Sequence, residues 1–270
     1  MRASRRSAFS LIEVLVVIGI ISVLIAIIFP VAERMRHRAY IDSCASNLRQ
    51  IGQAMVVYAN DNAGLYPRAT YKPDQDWTAG KDHAALDVFA PSPHAANDIT
   101  ASIFLLMRVE GLPAKLFICP YNDVKVYIPD PEDPYQHGNF TDFRNNLGYS
   151  FQNMYPSTAA SAKGYRWTNK FAANFALAAD LNPGPGDAPP FDNLSAVTPT
   201  STNSVREKGN SPNHESEGQN VLYGDGHVEY VDTCLSGTGK DNIFINRAGS
   251  VHGSPEDKDD SMLLPVDDAH

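Results

Sequence analysis

SAFSLIEVLVVIGIISVLIAIIFP, residues Ser7 to Pro30, decides how the rest of the chain is read. From Val14 to Phe29 it carries no charge. Extended back to Phe9 it gives about 20 residues with one ionisable side chain, enough helix to cross a hydrocarbon core of roughly 30 Å. Arg2, Arg5 and Arg6 stand just ahead with no acid among them. The positive-inside rule then leaves the first residues in the cytoplasm and sends everything after the span across the membrane. A cleaved secretory signal would need small residues in an A-x-A-like pattern after the apolar run, and Phe29-Pro30-Val31-Ala32-Glu33 is a poor site of that kind.

The exception inside the apolar run is Glu13, four residues after Phe9. A carboxylate at mid-membrane costs about 2.5 to 3.5 kcal/mol on insertion scales, so such a residue usually works with a partner. The plain alternative is a carboxylate near the end of the span that reaches headgroups or water. Ala8-Phe9-Ser10-Leu11-Ile12-Glu13, with a short basic leader before it and an apolar helix after it, resembles the signature of type IV pilins and type II secretion pseudopilins. That resemblance implies a cut between Ala8 and Phe9 by a prepilin peptidase that also N-methylates Phe9. It also implies a charge pair between Glu13 and the Phe9 ammonium of a neighbouring subunit. Gly19 and Pro30 fall where the family places a glycine and a helix-loosening proline, and Ala8 stands where glycine is commonest.

Composition fits an exported, anchored protein. The 270 residues carry 22 basic and 31 acidic side chains, a net charge of −9 that loss of three leader arginines takes to −12. Nucleic acid is therefore not an expected partner. Cys44, Cys119 and Cys234 are too few for a disulfide scaffold, and an oxidising compartment would allow one bridge among three pairings.

The expected organisation is a leader (1–8), an assembly helix (9–30), an amphipathic continuation (31–63) and one globular head (64–270). Past Pro30, Ile41, Cys44, Leu48, Ile51, Met55 and Tyr58 follow a 3-4-3-4-3 spacing that places them on one helix face, fit to pack on the head's own sheet. Asn60-Asp61-Asn62-Ala63-Gly64 is the stop, with Gly64 able to take a left-handed cap. In the head, Ile99 to Val109 has a helical pattern. Lys115 to Cys119, Leu147 to Tyr155 and Phe175 to Leu181 read as strands, and Lys72 to Thr100 and Asn182 to Ser211 read as irregular. Gly218 to Val231 places two apolar-rich runs around Asp225-Gly226, the dipeptide of a two-residue type I′ hairpin with positive φ at both positions. Val221, Tyr223, Val228 and Tyr230 would then lay one hairpin face on the core. The fold class is α+β: a long N-terminal transmembrane and stalk helix packed on a mainly antiparallel sheet, as in pilins.

His214, Asp225 and His227 could be read as zinc ligands, but Asp225 is explained by the turn and His214 sits in a loop-forming run, so no metal and no cofactor is expected. The segments Phe117-Ile118-Cys119-Pro120, Ala178-Ala179-Asp180-Leu181-Asn182-Pro183, Asn210 to His214, Gly218 to Val228 and Asp241 to Phe244 resemble an uncharacterised family of prepilin-like proteins with a C-terminal His-x9-Asp-Gly signature. Here ten residues separate His214 from Asp225. That resemblance implies a pseudopilin-like subunit with a specialised head, and the hairpin signature residues would be His214, Asp225, Gly226 and His227. Its expected partners are the prepilin peptidase and methyltransferase, other pilin or pseudopilin subunits and inner-membrane lipid. The competing class is an extracytoplasmic enzyme or ligand-binding head on a pilin-type anchor. Against it, the sequence holds no nucleophile elbow, phosphate loop, HExxH helix or CxxC pair.

Overall fold

The computed structural model describes residues 11–79, 96–121, 126, 138–140, 142–184, 194 and 197–265. The chain divides into two compact units, Met1–Ala39 and Tyr40–His270. Helix α1, Leu11–Asp61, begins in the first and ends in the second. It runs unbroken through Pro30, whose ring nitrogen has no hydrogen to give the Ala26 carbonyl. Within the first unit the apolar side chains from Leu11 to Val31 are exposed, as expected of a surface made for lipid or other helices rather than for its own chain.

In the second unit the 3-4-3-4-3 stripe does what its spacing requires. Cys44, Leu48, Ile51, Met55 and Tyr58 are buried together with Gly52, Ala54 and Ala59. Burial of each large apolar side chain of this kind contributes about 1.5 to 3 kcal/mol. The helix ends in left-handed residues, Ala63 at φ 56° and Gly64 at φ 82°, and the Gly64 amide returns to the Ala59 carbonyl at 2.7 Å.

Helix α2, Ile99–Glu110, is capped by Asp98, whose carboxylate accepts the Ala101 amide at 2.9 Å, and is closed by Gly111 in the left-handed region at φ 67°. The expected strand at Lys115–Cys119 is instead a 3₁₀ turn, Ala114–Phe117, followed by extended Ile118. Pro113 starts it, and a short apolar run with one buried side fits a turn as readily as a strand.

The sheet has five antiparallel strands among the described residues: β1 Tyr149–Gln152, β2 Ala176–Asp180, β3 Gln219–Tyr223, β4 Val228–Val231 and β5 Leu263–Leu264. Their order is β4-β3-β2-β1-β5. All residues of β1, β2 and β3 are buried. On one face of β3, Leu222 meets α1 so closely that a Cβ on Gly52 would lie 2.8 Å from a Leu222 methyl. On the other, the Tyr223 hydroxyl donates to the Ser236 carbonyl at 3.2 Å.

The hairpin is present, with two corrections. Gly226 has φ 87° and Asp225 is not in the positive-φ region, so the two-residue type I′ loop is not formed. The Gly226 amide donates to the Tyr223 carbonyl at 2.9 Å and the Tyr223 amide to the His227 carbonyl at 3.0 Å. This is a three-residue loop, Gly224-Asp225-Gly226, with glycine at its left-handed position. Nor does one face of both strands lie on the core: β3 is buried throughout, while Glu229 and Tyr230 of the outermost strand β4 are exposed.

Candidate functional site

Ala8 and Phe9 lie outside the described residues. Glu13 is in the first turn of α1 and is exposed. By length and composition α1 can cross a membrane, and its most apolar window has no residue buried in the protein.

In the head, the signature residues of the hairpin are not brought to one place. Asp225 accepts the His227 amide at 3.0 Å and faces the His227 ring, which stacks on Tyr223 at 4.5 Å between centroids. Both residues are about half exposed. His214 is fully buried elsewhere. A metal set built from His214, Asp225 and His227 is therefore not formed.

What surrounds His214 is a different cluster, drawn from four separated segments. Its Nε2 lies 3.5 Å from Asp180 Oδ2 and 3.7 Å from Cys119 Sγ, and Cys119 Sγ lies 2.6 Å from Cys44 Sγ. All four residues are fully buried, and one donor atom from each lies within 4.8 Å of the others. Cys44 comes from the buried stripe of α1, and Cys119 follows the 3₁₀ turn just before Pro120. Asp180 ends β2, where Asn220 on the neighbouring strand β3 donates both its backbone amide (2.7 Å) and its side-chain amide (3.1 Å) to Oδ2. The Asn220 side chain also reaches the Ile41 carbonyl on α1 at 3.2 Å, which ties helix to sheet.

His214 is delivered by three successive left-handed residues, His214, Glu215 and Ser216, at φ 57°, 62° and 59°. Such backbone is uncommon outside glycine. Asn213 anchors the turn by donating to the Gly148 carbonyl at 2.9 Å, and the Tyr121 ring covers His214 at 5.5 Å. Burial pushes the Asp180 carboxyl up to about 7 against the opposing hydrogen bonds from Asn220 and Asn213. The neighbouring Cys119 thiol and burial raise the Cys44 thiol well above its ordinary value. Sequence reading missed Cys44, Cys119 and Asp180 as a group. The available signal was Asp180 itself, a carboxylate ending an otherwise apolar strand.

A second polar cluster closes the far loops. Arg247 bonds Asp257 at 2.6 Å and faces Asp241 at 3.5 Å, while Asp260 Oδ2 accepts the amides of Glu256 (2.6 Å) and Arg247 (3.2 Å). Burial raises Asp241 to about 6, opposed by the Ser261 amide and Arg247, and raises Asp260 to about 7, opposed by the Glu256 and Arg247 amides. Unfolded, both would titrate near 3.8. The folded chain thus holds more protons between these values, and this pair's contribution to stability falls as pH rises through the window. The expected loss from about pH 5 to about pH 7.5 is on the order of 4 kcal/mol, or about 8 to 16 °C in melting temperature. Asp260→Asn should flatten the melting-temperature profile over that range, and an unchanged slope would refute the assignment.

An α+β head and an N-terminal helix long and apolar enough to span a bilayer are consistent with a pilin-like fold. Residues 3–29 match the family model described as the prokaryotic N-terminal methylation motif, so the start of the chain is prepilin-like. The match ends at residue 29 and does not bear on the head. No curated protein and no solved structure matches the chain.

Proposed function

We propose that this chain is a pseudopilin-like structural subunit. It is cut between Ala8 and Phe9 by a prepilin peptidase, N-methylated on Phe9, and assembled through its N-terminal helix into a pilus or a type II secretion-like pseudopilus. The leader lies in the cytoplasm, the helix in the inner membrane and the head beyond it. The match to the methylation motif at residues 3–29 supports this reading, together with the apolar helix that carries Glu13 in its first turn.

The head acts as a structural module and not as an enzyme. This is supported by the placement of its displaced carboxyls: Asp180 and Asp260 are fully buried and held by backbone amides. Groups so enclosed are out of reach of a substrate.

The test is the mass of the mature N-terminal peptide from membranes of cells that carry the peptidase. An N-methyl-Phe9 start is expected. Intact chains, or chains trimmed after Pro30, would overturn the proposal.

A further inference from the structure

We propose that Cys44, Cys119, Asp180 and His214 bind one zinc ion in a closed structural site that fastens α1 to the sheet. The site is independent of how the N-terminus is processed. Zinc held by thiolate, imidazole and carboxylate has bonds of about 2.0 to 2.3 Å, which places tetrahedral ligand atoms roughly 3.3 to 3.8 Å apart. His214 Nε2 stands 3.5 Å from Asp180 Oδ2 and 3.7 Å from Cys119 Sγ. The first separation exceeds the usual 2.7 to 3.2 Å of an N–H···O bond, so the two buried groups face one another as co-ligands do rather than as a tight hydrogen-bonded pair.

The sulfurs, 2.6 Å apart, are closer than two thiols can rest. They are either bonded to each other or share an ion, and sharing requires them to part by about 1 Å, a small rotation of each side chain. The other two residues decide between these. A disulfide would use the sulfurs alone, whereas one donor atom from each of the four buried residues lies within 4.8 Å of the others. An ion uses all four donors, and its binding offsets the backbone strain at His214.

Asn220, with two hydrogen bonds to Oδ2, acts as a positioning residue that aims the carboxylate. The donor set selects among metals: two thiolates with an imidazole suit zinc, whereas calcium and magnesium require oxygen ligands. Four protein donors in a buried cluster leave no open position for water or substrate, so the ion is structural.

The experiment uses the full-length protein in detergent, purified under reducing conditions, loaded with zinc sulfate and freed of unbound metal. Elemental analysis should find about one zinc per chain, and cobalt substitution should give a thiolate-to-cobalt charge-transfer band. Cys234→Ala should keep the ion, His214→Ala should lose it, and Asn220→Ala should weaken affinity about 10- to 100-fold. Should His214→Ala fail to fold, the wild-type chain decides alone. Never-reduced protein, unfolded with chelator, should show all three thiols of the chain free. Wild-type protein without zinc after loading would overturn the site, and linked Cys44 and Cys119 peptides from a non-reduced digest would overturn it in favour of a disulfide.

Discussion

Glu13→Ala is expected to insert in the membrane and lose its leader normally, yet fail to enter filaments. Glu13 lies in the first turn of α1, ahead of a helix face with no buried residue in its apolar window. Packed against other helices in hydrocarbon, its carboxylate costs about 2.5 to 3.5 kcal/mol unless a cation meets it, and the proposed cation is the N-methylated ammonium of a neighbouring Phe9. Glu13→Ala removes the carboxylate but leaves that ammonium unpaired in hydrocarbon at a comparable cost, on the order of 50-fold or more in affinity at each junction. Glu13→Gln, which keeps a hydrogen-bonding group without charge, should fall between. The measurement compares the sheared or pelleted filament fraction with the membrane fraction, and records N-methylation alongside. Wild-type levels of assembled Glu13→Ala would defeat the charge-pairing idea while leaving processing untouched.

Gly148→Ala should strongly destabilise the head. A Cβ there would collide with the Cys119 backbone nitrogen and lie 3.2 Å from the Ile118 carbonyl carbon. Neither atom belongs to a side chain that could turn away. Gly148 also donates to the Phe117 carbonyl at 2.8 Å and accepts from Asn213 at 2.9 Å, so a shift moves the segments carrying Cys119 and His214 together. Overpacking of this kind costs typically 1 to 3 kcal/mol and occasionally more, or about 6 to 12 °C at the upper end. Gly52→Ala is the comparison. Its new methyl would meet Leu222 methyls at 2.8 and 3.0 Å, the far end of a side chain able to change rotamer, so its cost should be clearly smaller. Thermal unfolding of the two variants in one detergent checks the ranking, and an equal or reversed order would contradict it.

The parts of this fold that were legible in the sequence are those whose cause is local. The stripe from Cys44 to Tyr58 repeats with the helical period, and that period says which side is buried before any partner is known. The helical pattern from Ile99 to Val109 is likewise local, and α2 covers it, although its cap at Asp98 lies in a stretch that reads as irregular. Lys115 to Phe117 failed because a short apolar run does not carry a period long enough to distinguish a strand from a turn. The hairpin was recognisable, but its loop length was not, since glycine supplies the left-handed residue in both loop types.

The cluster at His214 was out of reach for another reason. His214 was grouped with Asp225 and His227 because they are close along the chain, whereas the pairing of β2 with β3 and the packing of α1 bring it Asp180, Cys119 and Cys44. Donor sets assembled from four distant segments are a property of topology, and a single sequence records only their residue types.

The sheet's two margins have a consequence for how any polymer of this protein would come apart. β5 is two residues long and runs into Pro265, which has no amide hydrogen to offer a further strand, and β4 exposes Glu229 on the opposite margin. Short, proline-ended and charged borders discourage strand-to-strand joining between copies. Cohesion between subunits would then rest on the greasy surface from Leu11 to Val31. A mild detergent that coats this surface should dissolve such a polymer into subunits whose heads still melt cooperatively, whereas amyloid-like material would resist it.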